Sequence, residues 1–150
     1  MSELEHPSAQ PLRLNLGCGN KRREGFVGVD RFPCDAADIV ADISQKLPFP
    51  DGSVDEIWAD NVIEHIMDLP ALMGEIHRVC RDGAQVTLMN LAVTNHQSQP
   101  AVRCSGSSTL YINNVLISDS AQPPQGGIYA TLCSKVTIEK TKVSYAGGHG

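Results

Sequence analysis

A glycine pair followed by acidic strand ends carries the chemistry this chain could do. Leu14 to Asn20 reads LNLGCGN, an apolar run that breaks at Gly17 and Gly19 around Cys18. A missing Cβ at these glycines lets a ligand approach the backbone closely. Asp30 closes the next short run, GFVGVD, where it can accept hydrogen bonds from a ligand hydroxyl. Asp42 ends a third run, with Ile43 behind it, and Asn61 follows a fourth. Each of these residues also has a structural reading. The glycines suit a tight turn, and Cys18 suits a small space-filler. Asn61 with Glu64 has the spacing of a helix cap. His65 serves either as a base or as a core or surface histidine.

Two nucleotide motifs are poor matches. A GxGxxG loop starting at Gly17 needs a third glycine where Arg22 stands, and its acid should follow about 20 residues on. No Gly-Lys-Ser/Thr is present for a phosphate loop.

The elements that must position these residues alternate. Leu12, Leu14 and Leu16 lead into the glycines as a first strand, and Phe26 to Asp30 forms a second. A parallel crossover usually takes a dozen residues or more, so the short Gly17–Gly25 connection is a turn or loop. Asp38 to Asp42, Val54 to Asp60 and Val86 to Met89 give three further strands, with Ile57 and Trp58 expected in the core. Leu69, Leu72, Met73, Ile76 and Val79 recur at helical spacing, with Asp68 and Pro70 suited to the start and Gly83 to the stop. Strands alternating with a helical stretch imply an α/β fold with a parallel sheet, whose ligands gather at the strands' carboxyl ends.

Composition supports a packed core, with 41% apolar residues. The net charge of −5 and the lack of a basic stripe argue against nucleic acid as a partner. Residues 1–90 carry a net −7 and residues 91–150 a net +2, which marks two unlike segments. Five cysteines without CxxC or Cys/His spacing predict reduced thiols, no metal site and a cytoplasmic setting. The polar N-terminus predicts no signal peptide, and no apolar run predicts a membrane span.

LNLGCGN, GFVGVD, VADI, LPFPDGSVDEIWADNVIEHI and LMGEIHRVCRDGAQVTLMN occur in that order over residues 12–90. Together they resemble the N-terminal part of a class I S-adenosylmethionine-dependent methyltransferase of the type 11 group. The resemblance implies a Rossmann-like fold, with Gly17, Cys18 and Gly19 against the methionine portion of S-adenosyl-L-methionine. It implies that Asp30 holds the ribose hydroxyls and that Asp42 with the backbone of Ile43 addresses the adenine. Asn61 would face the sulfonium and a small-molecule methyl acceptor, with Asn61 and His65 as the candidate catalytic residues.

The resemblance stops near Asn90. The expected organisation is a tail over 1–11, a cofactor domain over 12–91, a linker over 92–108 and a β-rich segment over 109–150. Within that last segment Leu110, Ile112, Ile117 and Ser118 match Val136, Ile138, Val143 and Ser144 at an offset of 26 residues. Such spacing suggests a β-solenoid, and GGIYATLCSKVTIEKTKVSYAGG resembles a coil of a right-handed parallel β-helix. The competing expectation is that these stretches complete the sheet as its sixth and seventh strands. The chain ends on what reads as the opening of another coil, as in a truncated or chimeric protein. Three functions follow: methyl transfer, cofactor binding without turnover because an acceptor lobe is missing, and carbohydrate contact by a β-helix fragment.

Overall fold

Alternating apolar residues make Arg13–Leu16 the first strand (β1), and the glycine-interrupted run Val27–Asp30 the second (β2). The computed structural model of the chain describes residues 10–62, 65–94, 102–105, 109–119, 128–131, 135–140 and 142–145. Residues 1–9 of the tail, Glu64, Cys133 and the glycine pairs at 126–127 and 147–148 lie outside them. Between β1 and β2 the chain makes turns and no helix, as the short spacing requires. Ile39–Val40 (β3) and Val54–Asp60 (β4) follow.

The helix α1 spans Leu69–Val79. Asp68 caps it by accepting from the Ala71 N–H at 3.1 Å, and Pro70 stands in its first turn, where an N–H would have no partner. Leu72, Ile76 and Val79 form its buried stripe. Burial of each such side chain contributes roughly 1.5–3 kcal/mol. Asn61 does not cap α1; its φ of 55° sets it in a left-handed bend seven residues before Asp68. Gly83 is likewise not the helix stop. The chain leaves α1 directly into a long strand, Cys80–Thr94 (β5), in which Gly83 has φ 81°. Pairing with β4 skips there from Val54↔Cys80 to Glu56↔Gln85, so Arg81 to Ala84 bulge opposite Asp55.

Val102–Ser105 (β6), Thr109–Asp119 (β7), Ile128–Thr131 (β8), Lys135–Glu139 (β9) and Lys142–Tyr145 (β10) complete the described elements. The segment expected as a linker therefore holds the end of β5 and all of β6. Eight strands form one sheet in the order β10-β7-β5-β4-β1-β2-β3, with β9 also on β7, and every pairing in it is parallel. The run β3-β2-β1-β4-β5-β7 is the strand order of a doubly wound α/β sheet, which reverses direction between β1 and β4. The fold is Rossmann-like.

β7 joins that sheet at a constant offset. Val86 faces Leu110 and Leu88 faces Ile112, a step of 24 residues, and Leu110 faces Val136 while Ile112 faces Ile138, a step of 26. β10 keeps the 26-residue step, with Ile117 opposite Val143 and Ser118 opposite Ser144. β6 and β8 form a separate two-stranded sheet with the same step, Val102 opposite Ile128. The residue pairs that match in sequence are thus the pairs in register. One core runs through both segments, from Leu14, Leu16 and Val29 through Ile57 and Leu72 to Leu110 and Ile112. Trp58, expected in the core, is only partly buried, and the Arg23 guanidinium covers its ring at 3.7 Å from the centroid.

Candidate functional site

The carboxyl ends of β1 and β2 meet at the glycine loop. Gly17 and Gly19 take positive φ, 65° and 51°, which turns the chain off β1. The backbone N–H groups of Gly17 and Cys18 both donate to the carbonyl of Val29, at 2.7 and 3.2 Å, and so fold the loop over the end of β2. Gly17 has a further reason to be glycine. A Cβ there would lie 2.1 Å from Cγ2 of Val62, so it is this side chain, from the segment after β4, that occupies the approach to Gly17. Gly19 faces open space. On β2, Gly28 is required by close packing, since a Cβ would meet the Ala36 carbonyl oxygen at 1.9 Å.

Asp30 is held on both oxygens. Oδ2 accepts from the Gly19 N–H at 2.8 Å and Oδ1 from the Phe32 N–H at 3.0 Å. Each oxygen keeps a second lone-pair direction, so the carboxylate is oriented but still able to accept from a hydroxyl. Asp42 accepts on Oδ1 from the Ser44 hydroxyl at 2.6 Å and the Ser44 N–H at 2.9 Å. These bonds, with the Arg31 guanidinium 3.9 Å from Oδ2, hold the Asp42 carboxyl below the usual carboxylate range.

A cavity of about 290 Å³ opens between these groups. Gly17, Asp30, Asp42 and Ile43 line it together with Val62 and His65. Its volume is at the low end of the roughly 300–1,000 Å³ of small-molecule sites, and apolar walls with a few convergent polar groups are their usual lining. Cys18 is buried beneath the loop and Gly19 sits at its outer edge; neither is among the residues lining the cavity. Burial, with Cys34 and Asp30 nearby, pushes the Cys18 thiol up to about 11, so without a bound cation it stays protonated at neutral pH. Asn61 is exposed, donates its backbone N–H to the Met89 carbonyl at 3.2 Å, and is not among the lining residues either. Arg31, Phe32, Ser44 and Ile66, which carried no motif of their own, do line it. Their signal was position alone: they follow the strand-end acids or stand beside His65.

Residues 18–88 match a family model described as a methyltransferase domain. That segment is methyltransferase-like. The match covers a little under half of the chain, beginning inside the glycine loop and ending in β5. No curated protein and no solved structure matches the chain. The methyltransferase-like segment contains Asp30, Asp42, Ile43 and His65, so every strand-end acid at the cavity lies within it. Among the described residues, no helix is long and apolar enough to cross a membrane.

Proposed function

We propose that the cavity binds S-adenosyl-L-methionine and that the protein transfers its methyl group to a small-molecule acceptor. The observation that carries this reading is the convergence of Asp30 and Asp42 on one cavity at the carboxyl ends of a Rossmann-like sheet, inside the methyltransferase-like segment. Members of that family typically bind this cofactor, and the chemistry of the donor set suits it. It has ribose hydroxyls for Asp30, no phosphate that would need a lysine, and a cationic sulfonium that acidic walls favour. When bound, it supplies a methyl group already activated by the sulfonium. The protein's task is then to hold the acceptor in line and exclude water.

Asp30 would accept from the ribose hydroxyls, oriented by the Gly19 and Phe32 N–H groups. Asp42 would take the adenine edge beside the backbone of Ile43. Of the two candidate catalytic residues, His65 is the one on the cavity wall, so it is the one in reach of an acceptor there. Asn61 acts from outside, through the bend that carries Val62 onto Gly17.

Calorimetric titration with S-adenosylhomocysteine tests this reading. Saturable binding is expected, and its loss in Asp30→Ala, with unchanged circular dichroism, supports the assignment. A folded parent chain that binds nothing overturns it.

A further inference from the structure

Cysteine spacing in the sequence gives no reason to expect a metal, yet the fold brings together three ligand-bearing side chains that the sequence separates. Cys18 comes from the glycine loop, Asp30 from the end of β2 and Cys34 from the turn that follows β2. One ligand atom from each, two Sγ and a carboxylate oxygen, all lie within 4.8 Å of one another. We propose that Cys18, Asp30 and Cys34 form a binding site for a thiophilic divalent cation of the zinc class.

The geometry requires little movement. Zinc bonds of about 2.3 Å to sulfur and 2.0–2.2 Å to oxygen put tetrahedral ligand atoms roughly 3.5–3.8 Å apart. The ligands therefore need to close by about an ångström. Cys34 donates to the Gly19 carbonyl at 2.8 Å and is also hydrogen-bonded to the Cys18 thiol, so the two sulfurs already face each other. Asp30 is already oriented by two backbone N–H groups, the supporting arrangement that ligating carboxylates commonly have. Cys18 is 4% exposed, so its side of the ion would be dry, while Cys34 and Asp30 are half-buried and leave a way in. Two sulfurs and one carboxylate select zinc, cobalt or cadmium over magnesium or calcium, which demand mostly oxygen. Three protein ligands leave the fourth tetrahedral position to water.

Binding replaces two S–H bonds with two metal–sulfur bonds and releases both protons to solvent, with no change of oxidation state. Affinity therefore rises with pH. The site shares Asp30 with the proposed cofactor cavity, so metal and cofactor would compete for that carboxylate; a titration with metal alone reads the metal site whether or not the cofactor binds.

Cobalt(II) is the probe, added to the reduced, metal-free full-length chain. The expected result is one cobalt per chain, with a near-ultraviolet thiolate charge-transfer band and intense visible bands of tetrahedral cobalt, both erased by added zinc. Cys34→Ser lies on a turn and spares the core; it should lose the charge-transfer intensity of one sulfur and weaken affinity more than about tenfold. Asp30→Asn should keep the sulfur band and also weaken binding. Absence of a charge-transfer band in the folded chain overturns the proposal. So does a band unchanged in Cys34→Ser, which would assign the metal to Cys80, Cys104 or Cys133.

Discussion

Asn114 donates its side-chain amide to the side-chain oxygen of Asn90 at 2.6 Å, and Asn90 in turn donates to Asp60 at 2.7 Å. These residues sit on three neighbouring strands, β7, β5 and β4, and both asparagines have left-handed backbones, with φ of 53° and 52°. The next residue in this row is Lys140, just past β9, which is also left-handed at φ 47° but has no amide to continue the ladder. Asparagine tolerates that conformation and stacks its amides across parallel strands, whereas lysine carries the steric cost alone.

The ladder should therefore be extendable. Asn90→Ala removes two hydrogen bonds and leaves a Cβ in the left-handed region, at a cost of about 1–3 kcal/mol. Asn90→Gly should cost less, since the backbone strain goes with the side chain. Lys140→Asn should gain up to about 1 kcal/mol. Urea unfolding of the three variants checks the order, and a Lys140→Asn chain no more stable than its parent would refute the ladder as the reason for the row.

A second expectation concerns Gly17 and Val62. Gly17→Ala drives a Cβ to 2.1 Å from Val62 Cγ2 and also strains a backbone at φ 65°. Val62→Ala removes the obstacle but not the strain. The pair should couple in a double-mutant cycle by about 0.5–3 kcal/mol, with Val62→Ala rescuing part of the loss. Additive effects on unfolding would mean that the loop moves aside and that the contact does not set its course.

The third concerns acid. The Leu12 N–H donates to Asp55 Oδ2 at 2.7 Å, and Arg81 pairs with the same carboxylate across the bulge. These contacts, the backbone N–H foremost, lower the Asp55 carboxyl below its ordinary 3.8. A carboxyl depressed in the folded state contributes stability above its unfolded pKa and loses it as pH falls through the folded value. Stability should therefore decline below about pH 4, and Asp55→Asn should be less stable at neutral pH with a shallower acid limb. Unfolding free energies measured between about pH 2 and 6 decide the matter; parallel curves would remove Asp55 from the account.

Much of this was legible in the residues. The first four strands announced themselves as short apolar runs ending on a glycine turn or an acid, and the helix through its 3.6-residue period, which burial of one helix face imposes directly. The 26-residue repeat was legible too, since Leu110 and Ile112 meet Val136 and Ile138 in register. The third member of that row was hidden. Val86 and Leu88 already read as the fifth strand of an α/β sheet, and a strand with neighbours on both edges shows only one of its affiliations. Gly83 misled because a positive-φ glycine serves a helix end and a bulge equally well. The convergence of Cys18, Asp30 and Cys34, and the contact of Val62 with Gly17, depend on how loops fold over strand ends, which no local period encodes.

The two edges of β5 carry a consequence for cooperativity. Gln85 to Met89 is paired to Glu56–Asp60 on one side and to Thr109–Asn113 on the other. The stretch cannot open without breaking ladders that belong to both segments of the chain. Its amides should thus exchange with solvent only through global unfolding, and the acidic first segment and the basic second one share a single melting event. The bend at Asn61 hangs from the Met89 carbonyl, at the end of this stretch. The free energy of local opening at the cavity mouth is therefore set in part by strands that lie far downstream of any residue lining it.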